Sequence, residues 1–287
     1  MCNLTQQVID RIQSSNPRTQ YILRRLIHHL HAFVKDVQLT EDEWATAIDF
    51  LTRTGQKCND KRQEFILLSD VLGVTMLVDS LQHPSTANND GNSAQPATET
   101  TVKGPFYAPS FPMELGANIA QGPEQNRGEK TIVQGVVKDA VTGQPIAQAK
   151  VDVWQSDDRG NYDIQQPDIQ CNTTNLRGHF YTGPDGKYSF CTIKPASYPI
   201  PTDGPVGEYM KAAGCRIIRP AHIHFQIDAP GYDRLVTHLF VKGDPHLEAD
   251  PVFGVKDSLI VDFVNKNDGT YQVDYDFGLT RGKVTNP

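Results

Sequence analysis

The stretch Arg219–Pro220–Ala221–His222–Ile223–His224–Phe225–Gln226–Ile227 decides how the chain is read. His222, His224 and Gln226 alternate with Ala221, Ile223, Phe225 and Ile227. Successive side chains of a β-strand point to opposite faces, so this alternation predicts a strand with one apolar face in a core. Its other face carries two imidazoles two residues apart. That spacing lets two neutral ring nitrogens meet one metal ion. Two histidines on a solvated strand face would give the same pattern, so the rest of the chain has to decide.

The strand sits in a region of short alternating runs. Thr131 to Val137, Ala149 to Trp154, Arg234 to Val241, Ser258 to Val264 and Tyr271 to Phe277 all read as strands. Gly183–Pro184–Asp185–Gly186 reads as the turn of a hairpin joining Phe180–Thr182 to Tyr188–Thr192. The pattern predicts an antiparallel β-sandwich over residues 100–287. Such a run also suits non-catalytic sandwich modules, including the transthyretin-like and carboxypeptidase-regulatory kinds. A binding or structural module is therefore the rival reading, since a fold alone assigns no chemistry.

Upstream, residues 1–82 carry helical periodicity. Leu23, Leu26, Ile27, Leu30 and Val34 form one apolar stripe, and such stripes ordinarily mark a buried core. Thr40 with Glu43 forms a capping box for a helix through Trp44, Ile48 and Leu51. Asp60 is read as the cap of a third long helix that buries Phe65, Leu68, Leu72 and Met76. Residues 83–99 are polar and low in complexity, and read as a linker. The fold class is thus α+β, a helical N-terminal domain followed by a sandwich carrying the metal site.

Composition narrows the partners. The 287 residues have 21% charged side chains and a formal net charge of -7, which argues against nucleic acid or an anionic membrane as the main partner. Cys2, Cys58, Cys171, Cys191 and Cys215 are odd in number and widely spaced. They read as reduced thiols of a cytoplasmic protein, with no disulfide framework or zinc motif. No segment has the length of a membrane span.

Two tyrosines stand where strands and turns can bring them to the histidine strand. Tyr162 ends Asp158–Arg159–Gly160–Asn161–Tyr162, and Tyr198 sits in the proline-rich loop Lys194–Pro195–Ala196–Ser197–Tyr198–Pro199–Ile200–Pro201. Two phenolates with two imidazoles favour ferric iron, because hard oxygen anions prefer the trivalent ion and, with one hydroxide, balance its charge. Ionising a phenol of pKa about 10 at neutral pH costs roughly 4 kcal/mol, which a ferric ion can supply. Zinc is more often found with His, Cys and carboxylate ligands.

These motifs, Val153–Trp154 with Gly160–Asn161–Tyr162, Pro195 with Tyr198–Pro199, and Arg219–Pro220–Ala221–His222–Ile223–His224–Phe225, resemble the intradiol ring-cleavage dioxygenases. The resemblance covers nearly the whole chain, including Gly104–Pro105–Phe106–Tyr107. It is strongest to the hydroxyquinol 1,2-dioxygenase branch, through residues 48–56 and 60–70, Tyr198–Pro199–Ile200–Pro201–Thr202–Asp203–Gly204–Pro205–Val206–Gly207 and Leu235–Val236–Thr237–His238. Catechol-cleaving relatives are expected to have Gln where this chain has His238, and catechol or chlorocatechol cleavage is the alternative.

The resemblance implies one Fe(III) per chain held by Tyr162, Tyr198, His222 and His224. Tyr198 also takes a substrate proton, and Arg219 stabilises developing negative charge. The substrates are an aromatic diol or triol and O2. Met76, Asp79, Gly104, Pro105, Phe106, Ile200, Pro201 and His238 are expected to bind substrate, with Asp79 accepting a hydrogen bond from a third hydroxyl. The family further implies a homodimer, built through the N-terminal helices around an apolar tunnel that can hold a lipid.

Overall fold

The computed structural model describes residues 3–60, 62–83, 97–121, 127–166 and 174–282. Residues 84–96, most of the expected linker, lie outside the described residues. The chain forms two compact units, Met1–Gln56 and Lys57–Pro287. Composition alone places the division after residue 82; by contact, the helices between residues 57 and 82 belong with the sheets.

The first unit holds α1 (Leu4–Asp10), α2 (Pro17–Asp36) and most of α3 (Glu41–Lys57). Asn16 caps α2 by accepting from the Arg18 and Thr19 amides, with Pro17 at the first turn. The Thr40–Glu43 capping box forms as expected: the Thr40 amide donates to Glu43, and the Glu43 amide to the Thr40 hydroxyl. Burial of the α2 stripe does not follow. Leu23, Leu26, Leu30 and Val34 are exposed, as are Trp44, Ile48 and Leu51 on α3.

In the second unit the expected long third helix is two short ones, α4 (Glu64–Val71) and α5 (Val74–Gln82). Gly73 stands between them in the left-handed region, at φ 70°, a conformation that ends α4 and lets the chain turn. The buried face is also rotated from the expected one. Glu64, Leu67, Asp70 and Val71 point inward, whereas Phe65 and Leu72 are exposed. The inward face packs on Ile200, Val206 and Met210, the last two from α6 (Pro205–Ala212). Glu64 accepts from Arg62 at 2.8 Å, and Arg62 donates to Asp203 at 2.6 Å, which ties α4 to the loop before α6.

Two five-stranded sheets form the sandwich. One places β1 (Lys130–Asp139) beside β4 (Lys187–Ile193), with β10 (Val264–Asn265), β11 (Tyr271–Asp274) and β12 (Phe277–Leu279) beyond. The other runs β3 (Arg177–Tyr181), β2 (Lys150–Gln155), β7 (His222–Asp228), β8 (Leu235–Val241), β9 (Ile260–Val261). Both sheets are mixed rather than purely antiparallel: β1 runs parallel to β11 and β12, and β8 parallel to β9.

The expected hairpin is absent. Beyond the Gly183–Gly186 turn the chain changes sheets, because β3 pairs with β2 and β4 pairs with β1. The reason lies in the core, where Phe180 of β3 and Phe190 of β4 stack face to face with centroids 5.5 Å apart. Ile223, Phe225 and Ile227 of β7 join this core. The alternation read from the sequence therefore holds, with His222, His224 and Gln226 on the far face.

Phe190 is fully buried between the sheets. Phe190→Ala should cost about 3–5 kcal/mol through lost burial and the cavity left behind. Urea unfolding of the two proteins measures it.

Candidate metal centre

The far face of β7 is where four donor atoms meet. His224 has Trp154 of β2 and His238 of β8 as its cross-strand neighbours. Trp154 stacks on the His224 ring at 4.7 Å and 11°, which fixes the imidazole plane. Tyr198 lies on the short strand β5 (Tyr198–Pro199), paired with Arg219 on β6 (Ile218–Arg219). Tyr162 follows the turn after β2. There Gly160, at φ 81°, lets the two tyrosine loops touch: a Cβ on Gly160 would lie 2.7 Å from the Ser197 carbonyl oxygen. Phe106 stacks on Tyr162 at 4.6 Å. A buried ion pair of Arg177 with Asp163 holds this corner, and Arg177 also donates to the Phe106 and Ala108 carbonyls.

The donors form a closed ring. The Tyr162 and Tyr198 hydroxyls are 3.3 Å apart. Tyr198 Oη to His222 Nε2 is 3.4 Å, His222 Nε2 to His224 Nε2 is 3.1 Å, and His224 Nε2 to Tyr162 Oη is 3.0 Å. All four side chains are buried. Bonds of about 2.0–2.2 Å to one ion separate adjacent donors by roughly 2.8–3.6 Å at angles between square and tetrahedral. The ring has that size.

Tautomers follow from the network. His222 Nδ1 lies 2.7 Å from the Pro220 carbonyl, which can only accept, so the ring proton sits on Nδ1. His224 Nδ1 lies 2.7 Å from His238 Nε2. A proton on His224 Nδ1 as well would leave both Nε2 lone pairs pointing into the same space. Burial, reinforced by the Arg219 charge, lowers the pKa of His222 to about 3. Burial and then His222 push His224 well below the ordinary histidine value. Burial and then Tyr198 raise the Tyr162 phenol well above its usual range. Two neutral imidazoles and a phenol that ionises only beside a cation suit a metal site.

Arg219 completes the wall. Its Nη1 is 3.4 Å from Tyr198 Oη and 3.2 Å from His222 Nε2. Asp250 holds the guanidinium from behind in a two-pronged pair at 3.0 and 3.2 Å, and itself accepts from the Gly254 amide. Burial works against the Asp250 charge, but Arg219 outweighs it and holds the carboxyl below the usual range.

A narrow cleft opens beside this ring, lined by Gly104, Pro105, Phe106, Tyr198, Ile200, Pro201 and Arg219, with Leu67, Asp70, Val102 and Val252 completing it. A wider open groove elsewhere on this unit, lined by Lys150, Tyr181, Asp228 and Arg234 among others, contains none of the four donors. We place the site at the cleft because Tyr198 of the donor ring and Arg219 line it.

Three expected cleft residues sit elsewhere. Asp79 accepts from Thr100 at 2.8 Å and pairs with Lys256 at 3.6 Å, so its carboxylate is already engaged away from the cleft lining. Met76 packs with Val102 and Val252 behind the wall. His238 is buried behind His224. Its ring nitrogen comes within 4.8 Å of those of His222 and His224, yet it faces Nδ1 of His224 and not the donor space. The acid in the cleft is Asp70. It is buried, and its Oδ1 meets no hydrogen-bond partner among the described residues. Burial raises its pKa.

The geometry agrees with the comparisons. Residues 102–281 match the family model described as Dioxygenase, and residues 16–90 match Catechol dioxygenase N terminus. The chain belongs to the intradiol ring-cleavage dioxygenases and is an enzyme of that class, which removes the binding-module reading. It is 47% identical to the 6-chlorohydroxyquinol 1,2-dioxygenase of Cupriavidus pinatubonensis, over 96% of each chain. It is 44% identical to the hydroxyquinol 1,2-dioxygenase of a Rhizobium species, over 96% of this chain and 93% of that one. The crystal structure of hydroxyquinol 1,2-dioxygenase from Pseudomonas putida superposes with a TM-score of 0.85 at 44% identity, covering 97% of this chain and 98% of the other.

Asp250→Asn keeps the shape and removes the charge facing buried Arg219. At pH 7 the loss should be about 3–5 kcal/mol, as for other broken buried pairs. The native carboxyl has its pKa lowered by folding, so its contribution is present above the unfolded value of about 3.9 and lost as pH falls through the folded value. The stability gap between native and variant should therefore close in acid. Denaturant unfolding across a pH series measures this, and a gap that does not change with pH would contradict it.

Proposed function

We propose that this enzyme is an Fe(III) hydroxyquinol 1,2-dioxygenase of aromatic breakdown. It would open benzene-1,2,4-triol between its adjacent hydroxyls with O2, giving 3-hydroxy-cis,cis-muconate, the enol form of maleylacetate. The observation that carries the metal assignment is the pair of Nε2 lone pairs facing two buried phenols. Tyr162, Tyr198, His222 and His224 are the ligands. Ferric iron, when bound, would stabilise the ionised phenols and the deprotonated diol, whose two negative oxygens make the substrate ring electron-rich toward O2.

The remaining work belongs to the side chains. Tyr198 receives a substrate proton at Oη, where Arg219 Nη1 lies close enough to stabilise the charge left on the substrate oxygen. Phe106, Ile200 and Pro201 line an apolar slot for a flat ring and exclude water. Asp70 supplies the preference for a triol, because its free Oδ1 can accept from a third hydroxyl. Catechol leaves that acceptor unpaired, a penalty of about 1–3 kcal/mol or roughly tenfold to a hundredfold in specificity. The names of the relatives support the same substrate.

We further read the enzyme as a cytoplasmic homodimer. The exposed Leu23, Leu26, Leu30 and Val34 of α2, with Trp44 and Ile48 of α3, are faces a second copy would cover, leaving an apolar space in which a lipid could lie. Among the described residues no helix is long and apolar enough to cross a membrane.

Two measurements test the reading. The purified protein should be coloured, from phenolate-to-Fe(III) charge transfer. His222→Ala and His224→Ala should each lose iron and turnover, whereas His179→Ala and His246→Ala should keep both. A colourless, iron-free and fully active preparation overturns the ferric assignment.

For the substrate, kcat/KM should favour hydroxyquinol over catechol. Asp70→Leu should shrink that ratio about tenfold to a hundredfold by weakening hydroxyquinol, while Asp79→Leu leaves it unchanged. Steady-state kinetics on both diols decides. An unaltered ratio in the Asp70 variant removes its role.

A further inference from the structure

We infer that His238, anchored by Thr101, is a positioning residue that fixes the tautomer of His224 and strengthens it as a metal donor. This rests on the metal-centre reading above. The two histidines of β7 are held differently. His222 Nδ1 donates directly to a backbone carbonyl, that of Pro220. His224 Nδ1 instead meets another imidazole, His238 Nε2, at 2.7 Å. His238 Nδ1 then meets Thr101 Oγ1 at 2.8 Å, and Thr101 Oγ1 meets the Val102 carbonyl at 3.4 Å.

Only the last member of this chain has a fixed role. A carbonyl oxygen accepts and never donates. With the Thr101 hydroxyl donating to Val102, it accepts from His238 Nδ1–H, and the hydrogen bond of the His238 ring to the Val102 backbone favours that direction. His238 is left with a lone pair at Nε2, which accepts from His224 Nδ1–H. His224 is left with a lone pair at Nε2, facing Tyr162 Oη and His222 Nε2. Reversing the chain would put a proton on His224 Nε2 and close the donor space. Thr101 is itself fixed, since its amide donates to the Val236 carbonyl of β8 at 2.9 Å, two residues before His238.

The acceptor matters as well as the direction. An imidazole nitrogen draws on the His224 N–H proton more strongly than an amide oxygen would. His224 becomes a more electron-rich donor, the effect that partners of metal-bound histidines have on ligand basicity. A more donating His224 stabilises Fe(III) against reduction and raises the energy of phenolate-to-iron charge transfer.

The test uses the full chain and the variants His238→Gln, His238→Leu, Thr101→Val and Thr101→Ser. Ring-nitrogen NMR of the iron-free native protein should show Nδ1–H on both His224 and His238. In the iron-loaded proteins, His238→Leu should hold iron about ten- to hundredfold more weakly. His238→Gln should keep its iron, with the charge-transfer band at longer wavelength and a higher Fe(III)/Fe(II) potential. Thr101→Val should move band and potential in the same direction, and Thr101→Ser should restore them. Because the threonine pair changes a single group, it decides the matter if His238→Leu fails to fold. Native iron affinity, band and potential in both His238→Leu and Thr101→Val would overturn the inference, as would an Nε2–H proton on His224. A colourless native protein would sink the ferric reading alone, because the NMR tautomers of the same sample still decide the relay.

Discussion

Two imidazole nitrogens 3.1 Å apart in a dry interior need a shared proton or cation between or beside them. The architecture around β7 serves this constraint. The core face of the strand anchors it through Ile223, Phe225 and Ile227, so the opposite face cannot rotate. Trp154 and His238, its cross-strand neighbours, lock the ring of His224 from both sides. Burial then removes the alternative of protonation by holding both imidazoles neutral at working pH. The same low-dielectric setting that makes the ring of donors unfavourable when empty makes it a strong trap for a multiply charged cation.

The strand and its ligands were legible because a period of two is a local property. His222 and His224 declare their shared face without any knowledge of the fold, and the core confirms it. The tyrosines were legible only through the motifs around them, since nothing in the spacing of residues 162, 198 and 222 says that their loops meet. That meeting depends on Gly160 passing against Ser197 and on β5 pairing with β6, both features of tertiary structure. The Arg219–Asp250 pair was invisible for the same reason.

Two misreadings share a physical origin. Helical periodicity was assigned the wrong phase over residues 64–76, because Phe65, Leu68, Leu72 and Met76 make a persuasive stripe. The structure buries Met76 as expected and Leu68 in part, but it exposes Phe65 and Leu72 and buries Glu64, Leu67, Asp70 and Val71, with Glu64 satisfied by Arg62 and the Val206 amide. A helix that buries acids defeats any reading based on apolar spacing, so apolar spacing cannot single out Asp70. Gly73 then broke a pattern that looked continuous. The Gly183–Gly186 turn likewise carries strong hairpin chemistry, but turn residues specify a reversal and not which sheet receives the next strand. Stacking of Phe180 on Phe190 across the core settles that choice.

The charges at the site fall into a hierarchy. Arg219 is buried, so its charge must be answered, and Asp250 answers it from the side away from the donors. The guanidinium can then face Tyr198 and His222 without drawing a second carboxylate into the ring. Asp70 feels both charges of this pair and bonds Thr75, yet keeps one oxygen unmatched, and it lines the same cleft as Arg219. A buried carboxylate with one oxygen unmatched destabilises the free protein, and burial raises its pKa. Its neighbours in the cleft include the apolar Leu67, Val102, Ile200 and Val252, against which a leucine in that place would be more stable. On the proposed reading, a third hydroxyl of the substrate would meet this carboxylate, so the cost borne by the empty enzyme would be offset selectively by a triol.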